Sequence, residues 1–80
     1  MKNLVIFKAQ WCNPCKQLTK TIESIDLGIP VNTVDIDSDT TATAEYNIRG
    51  VPTVLLMQDT QVIKRHTGSM SVKQLQEFLA

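Results

Sequence analysis

Two cysteines stand three positions apart, in the segment Cys12-Asn13-Pro14-Cys15, and the chain of 80 residues contains no other cysteine. A disulfide stabilises a fold mainly by closing a long loop, and the loop between these two residues is too short for that role. A cysteine thiolate, by contrast, is a good nucleophile toward other disulfides. The pair therefore predicts thiol chemistry rather than a structural crosslink.

The cysteine pair falls between a predicted strand and a predicted helix. Residues 4–7 are apolar and partly β-branched, which indicates a buried strand. After Pro14, apolar side chains recur at helical spacing, at Cys15, Leu18, Ile22 and Ile25. The unpaired N–H groups and the positive dipole at a helix N-terminus favour a thiolate at Cys12. This arrangement predicts that Cys12 attacks a disulfide and that Cys15, held away from water, resolves the mixed disulfide.

Two other interpretations of the pair remain open. A structural zinc site takes four ligands, and the chain offers only His66 beyond the two cysteines, so two chains would have to share the metal. The second alternative is that both cysteines are inert. The position of the pair at a strand–helix junction favours redox chemistry, and we expect neither a metal nor a cofactor.

The remaining pattern predicts an α/β fold in one domain, residues 1–80, with the order β-α-β-α-β-β-α. The further elements are an edge strand with one polar face (31–37), a short helix (42–46) ended by Gly50, a central apolar strand (51–57), a strand that pairs with it as a hairpin (62–66), and a helix capped by Ser71 with Gln74. We expect Phe7 and Tyr46 in the core and His66 at the surface.

Composition excludes several classes of function. Eight lysines and arginines balance eight aspartates and glutamates, so the basic surplus of a dedicated nucleic-acid binder is missing. No apolar run approaches the roughly 20 residues that span a bilayer, and the start lacks the apolar stretch of about 7–15 residues found in a secretory signal. We therefore expect a cytoplasmic protein with no nucleic-acid or membrane partner, and we also expect a monomer.

Two segments resemble the signatures of the thioredoxin family. Residues 9–16, Ala-Gln-Trp-Cys-Asn-Pro-Cys-Lys, are similar to its active-site motif W-C-G-P-C-K, with Asn13 in place of glycine, and residues 46–53, Tyr-Asn-Ile-Arg-Gly-Val-Pro-Thr, resemble its second signature. Gly68 and the last helix match the family's C-terminal end. The resemblance covers nearly the whole chain and implies a minimal thioredoxin fold without the usual first strand and helix, with a four-stranded mixed sheet flanked by three helices.

The resemblance also implies the layout of the site. It implies a cis peptide bond between Val51 and Pro52, and a groove in which the substrate chain pairs with the Val51 backbone as an added strand. The residues that would border this groove are Trp11, Pro14, Gly50, Val51, Pro52, Gly68 and Ser69. Lys8 and Lys16 are candidates for tuning the pKa of the Cys12 thiol through their charge.

One feature of the family is missing. Relatives usually carry a buried aspartate six residues before the first cysteine, as proton acceptor for the resolving thiol, with a lysine partner on the next strand. The corresponding residues here are Ile6 and Thr33. Water, a slower proton transfer or a different residue remain open as substitutes.

The resemblance implies a thiol–disulfide oxidoreductase that reduces protein disulfides. Its partners would be client proteins such as ribonucleotide reductase and a recycling flavoprotein of the thioredoxin-reductase type. One alternative is a glutaredoxin-like electron donor to ribonucleotide reductase, although residues 67–70, Thr-Gly-Ser-Met, differ from the Gly-Gly-x-Asp turn that glutaredoxins use for glutathione. The other alternative is a non-catalytic accessory subunit, and the second cysteine argues against that as the sole role.

Overall fold

The seven elements follow the predicted order, and a computed structural model describes all 80 residues. The strands are β1 (Lys2–Lys8), β2 (Val31–Asp35), β3 (Thr53–Gln58) and β4 (Gln61–Thr67). The helices are α1 (Asn13–Glu23), α2 (Thr40–Glu45) and α3 (Val72–Leu79). None of the helices is long and apolar enough to cross a membrane.

The two most apolar strands occupy the middle of the sheet, whose order is β2-β1-β3-β4. β1 is parallel to β2 and antiparallel to β3, and β3 forms a hairpin with β4. The edge position of β2 confirms the prediction from its polar face. The parallel pair matters for the site, because it puts the C-terminal ends of β1 and β2 at the same end of the sheet, where α1 begins.

The strands bury opposite faces against different helices. On one face, Leu4 and Ile6 of β1 pack with Leu18 of α1 and Leu75 of α3. On the other face, Phe7 packs with apolar residues of β3 and with the α2 side of the molecule. Because side chains alternate along a strand, even-numbered residues of β1 face α1 and α3. This alternation decides which polar residues share a face with the cysteines.

Several predicted element boundaries were wrong because local capping decides where a helix ends. α1 stops before Ile25, with Ser24 as its C-cap, although Ile25 still packs against the core. α2 ends well before Gly50, because Tyr46 caps it and Asn47 takes a left-handed conformation with φ +54°. The third helix confirms its prediction, including the reciprocal capping box of Ser71.

Two ring residues lie at intermediate depth rather than where the sequence predicted them. Tyr46 is only partly buried and its ring lies 5.9 Å from the ring of Phe7, which is fully buried as expected. His66 is also partly buried, because its ring packs edge-on against Phe78 at a centroid distance of 6.2 Å. Both rings are only partly covered by the elements that pack on the sheet.

We predict that Leu18→Ala lowers the free energy of unfolding by about 2–5 kcal/mol, because it leaves a cavity between α1 and the sheet. The matched control is Gln17→Ala, an exposed neighbour on the same helix, for which the change should stay within about 0.5 kcal/mol. Urea unfolding followed by circular dichroism measures both. Equal losses for the two variants would contradict the packing described above.

Candidate active site

The cysteine pair is built on the first turn of α1. Cys12 is the N-cap of the helix, with φ −93° and ψ 109°, and its Sγ accepts a hydrogen bond from the backbone N–H of Cys15 at 3.1 Å. The two residues are joined as a disulfide, with their Cα atoms 5.2 Å apart. This Cα separation lies within the range of protein disulfides.

The two sulfurs differ in their partners rather than in their exposure. We expected Cys15 to be the shielded member, but Cys12 and Cys15 are almost equally buried, at 4% and 3% exposed. The difference is that only the Cys12 sulfur receives a backbone N–H at the helix N-terminus. After reduction, that N–H and the helix dipole favour negative charge on Cys12, so the chemical asymmetry predicted from the sequence has a structural basis.

The local sequence explains why the helix begins here. Pro14 lies in the first turn, where its missing N–H removes no helical hydrogen bond, and its fixed φ suits the helix. The first turn carries no acidic residue, so no carboxylate of that turn opposes a thiolate at the cap. Asn13 and Pro14 are both exposed, leaving the outer surface of the turn open.

The segment before β3 lies against the cysteines. The Val51–Pro52 bond is cis, which confirms the prediction from the resemblance. Val51 packs against the small cluster formed by Ala9, Cys12 and Cys15. Of the proposed groove residues, Val51 thus lies against the cysteine pair, and Gly50 and Pro52 flank it in the chain. Gly68 is joined to Pro52 by a hydrogen bond.

Hydrogen bonds hold this segment in place. The Thr53 hydroxyl donates to the Gly50 carbonyl at 2.6 Å, and the Gly68 N–H donates to the Pro52 carbonyl at 2.8 Å. The second bond ties the loop after β4 to the loop before β3. A Cβ on Gly50 would stand 3.4 Å from the Thr67 methyl, so the two loops also approach closely.

Trp11 stands next to Cys12 and is two-thirds exposed, with a relative accessibility of 67%. Its indole N–H donates to Oδ2 of Asp37, 3.0 Å away. Sequence reasoning missed Asp37, which it placed on the polar face of a strand; the strand ends two residues earlier, and the turn that follows brings the carboxylate to Trp11. Ser69 is half-buried beside Gly68, and the groove roles of all seven residues stay predictions.

An open pocket of about 490 Å³ lies on the α1 side of the sheet, beside Cys15. Its lining is mostly charged or polar and consists of Lys8, Ala9, Gln10, Cys15, Lys16, Thr19, Lys20, Glu23 and Asp35. The structure therefore places both candidate tuning residues, Lys8 and Lys16, around Cys15, and neither side chain hydrogen-bonds to Cys12. Nowhere in the chain do three or more His, Cys, Asp or Glu side chains group so that they could hold a metal ion.

Comparison with known proteins identifies relatives over the whole chain. A family model described as Thioredoxin matches residues 1–80. A thioredoxin of Buchnera aphidicola subsp. Baizongia pistaciae is 36% identical over 80 residues, which cover 95% of this chain and 73% of that protein. The mitochondrial thioredoxin of Bos taurus is 38% identical over 80 residues, but the match covers only 48% of its length.

Solved structures agree with the sequence comparison. A mutant thioredoxin from Halobacterium salinarum superposes with a TM-score of 0.90 at 28% identity, covering 98% of this chain and 71% of that one. A Fasciola hepatica thioredoxin superposes with a TM-score of 0.87 at 27% identity, covering 98% of this chain and 77% of that one. These similarities extend across the sheet and all three helices.

We predict that Asp37→Ala frees the Trp11 indole and lowers the fluorescence anisotropy of this single tryptophan. The free energy of unfolding should change by less than about 1 kcal/mol, because the hydrogen bond is exposed to solvent. Asp37→Asn is the matched control, since its amide oxygen can still accept from the indole. Unchanged anisotropy in Asp37→Ala would show that the hydrogen bond does not restrain Trp11.

Proposed function

The chain belongs to the thioredoxin family and is a thiol–disulfide oxidoreductase, and we propose that it works in the direction of reducing disulfides in client proteins. The observation that carries the roles of the two cysteines is the hydrogen bond from the Cys15 N–H to the Cys12 sulfur at the start of α1, and the similarity to thioredoxins supports the reducing direction. This contact supports Cys12 as the thiolate that attacks the client, with Cys15 completing the exchange.

The reaction proceeds in two exchanges at one sulfur. The Cys12 thiolate attacks one sulfur of the client disulfide, and the other client sulfur leaves as a thiolate that takes up a proton. Cys15 then attacks the Cys12 sulfur of the mixed disulfide and displaces the second client thiolate. The client gains two electrons, and the chain ends as the Cys12–Cys15 disulfide present in the structure.

The backbone of Val51 supports a substrate groove. Neither its N–H nor its carbonyl makes a hydrogen bond within the chain, whereas the flanking Gly50 and Pro52 carbonyls are both occupied. An extended client segment can use the free Val51 groups as an added strand, a mode that tolerates many sequences. Because Val51 also packs against the cysteine cluster, this pairing would hold a client disulfide close to Cys12.

The partners and setting in this proposal follow from the chemistry. A reductant needs a source of electrons, and we assign that role to a flavoprotein of the thioredoxin-reductase type, with ribonucleotide reductase as a client. The dithiol must stay reduced between turnovers, which suits the cytoplasm. A monomer suffices, because every group used in the two exchanges comes from one chain.

We predict that the two cysteine variants fail at different steps. With a flavoprotein thioredoxin reductase and NADPH, the unmodified chain should reduce insulin, whereas Cys12→Ser should show only background reduction and form no mixed disulfide. Cys15→Ser should also fail to turn over but should accumulate a mixed disulfide through Cys12, visible by intact mass under non-reducing conditions. Trapping by Cys12→Ser instead would reverse the assigned roles.

The insulin assay and a complementation experiment separate the alternative functions. Insulin reduction driven by glutathione and its reductase, but not by the flavoprotein, would favour the glutaredoxin-like electron donor. A chain with both cysteines changed to serine that fully replaces the original in its native host would favour an accessory subunit. If the chain is a reductant of protein disulfides, we expect neither result.

We also assign Lys8 and Lys16 to the electrostatic support of the Cys12 thiolate, because they add positive charge around the neighbouring Cys15. Lys8→Ala should slow alkylation of Cys12 by iodoacetamide at neutral pH and move its pH profile upward. Lys2→Ala, at the far end of the same strand, should leave the profile in place. Identical pH profiles for the two variants would contradict a role of Lys8 in stabilising the Cys12 thiolate.

A further inference from the structure

The resolving step raises the question of where the proton of Cys15 goes. Cys15 is 3% exposed, and burial away from water disfavours a charged thiolate. Only the thiolate can attack the mixed disulfide, so a proton acceptor has to serve this thiol. Ile6, which shares its face of β1 with Lys8, cannot accept a proton.

The pocket beside Cys15 contains two carboxylates, Asp35 at the end of β2 and Glu23 at the end of α1. Asp35 is half-buried, whereas Glu23 is exposed. Val34, the preceding residue of β2, packs toward the α2 side, so the alternation of the strand turns Asp35 to the α1 side. Of the two carboxylates, Asp35 is the one that the sheet itself directs toward the Cys15 side.

Asp35 stands opposite Lys8 in the parallel pairing of β2 with β1, two residues beyond the pair Thr33 and Ile6. Both pairs are therefore on the same face. Thr33 and Ile6 have no ionisable side chain, whereas Asp35 and Lys8 have one acidic and one basic side chain. This face therefore carries a carboxylate and an ammonium group. They lie nearer to the C-terminal ends of β1 and β2 than Ile6 and Thr33 do, and both line the pocket.

The Asp35 carboxylate is held by one oxygen and free at the other. Its Oδ1 accepts a hydrogen bond from the backbone N–H of Asp37 at 2.9 Å, and its Oδ2 receives no hydrogen bond from the chain. A half-buried carboxylate that is oriented through one oxygen, is free at the other and lines an open pocket is suited to receive a proton through water.

We propose that Asp35 is the proton acceptor for Cys15 when the mixed disulfide is resolved, acting through water in the pocket lined by Cys15 and Asp35. The proton passes from the Cys15 thiol to water and from water to the Asp35 carboxylate, and the thiolate then attacks the Cys12 sulfur. The client thiolate departs with the electron pair of the broken bond and takes up a proton. Asp35 afterwards releases its proton to solvent through the open pocket.

Other charges face Asp35 and must be separated from its own effect. They are Lys8 from β1, and Lys16, Lys20 and Glu23 from α1. Removing the Asp35 charge therefore also changes the electrostatic balance of the whole pocket. Glu23→Gln removes one negative charge from the same pocket without touching Asp35, which makes it the matched control.

The test is a single-turnover reaction of the reduced chain with an equimolar symmetrical aromatic disulfide whose thiolate is coloured. The first release of colour reports attack by Cys12, and the second reports resolution by Cys15. For Asp35→Asn we expect a first release that is not slowed and a second release slowed about tenfold or more near neutral pH, recovering as the pH rises. Asparagine can still accept from the Asp37 N–H, so the turn is retained.

Two further results are expected if Asp35 transfers the proton. Asp35→Glu, which keeps a carboxylate, should restore most of the second release, and added imidazole should accelerate that release more in Asp35→Asn than in the unmodified chain. Glu23→Gln should not slow the second release. These readouts follow the proton and would not respond to a purely structural role.

The proposal is overturned if the second release in Asp35→Asn keeps the rate and pH profile of the unmodified chain, or if Glu23→Gln slows it equally. Should Asp35→Asn not fold, Asp35→Ser takes its place with the same expected and opposing results. The inference rests on dithiol exchange alone. A normal two-step release without insulin reduction would therefore count against the proposed client reduction and not against Asp35.

Discussion

The site depends on one backbone N–H. By donating to the sulfur of Cys12, the amide of Cys15 makes the first cysteine both the cap of α1 and the sulfur best able to carry negative charge. The rest of the fold keeps that contact in place. β1 leads directly into the start of α1, and Leu18 packs the helix against the sheet. Val51 packs against the cysteine cluster.

A chain of this size can perform the reaction because disulfide exchange needs few parts. The electrons come from the two cysteines, and the groove needs one strand of free backbone beside them. The two faces of the sheet differ in what covers them. One face carries the main core and the pocket of Cys15, and the other is covered by α2. The cis bond before Pro52 and the hydrogen bond from Gly68 complete the border of the site.

Periodicity and spacing were enough to predict the element order, the edge position of β2 and the strand–helix placement of the cysteines. The resemblance added the cis bond between Val51 and Pro52. Element ends were less predictable, because a single residue such as Asn47 can leave the helix before the glycine that the pattern favours. Contacts across elements were missed altogether: Trp11 with Asp37, and the pairing of Lys8 with Asp35, require a register that no local pattern contains.

The most direct test of the account is the pH dependence of alkylation of each cysteine in the reduced chain, resolved by mass spectrometry. The helix N-terminus and the Cys15 N–H predict that Cys12 reacts first and that its thiolate persists well below the pH at which a free cysteine titrates, near a pKa of about 8.5. Preferential alkylation of Cys15, or a Cys12 profile equal to that of free cysteine, would contradict the central claim.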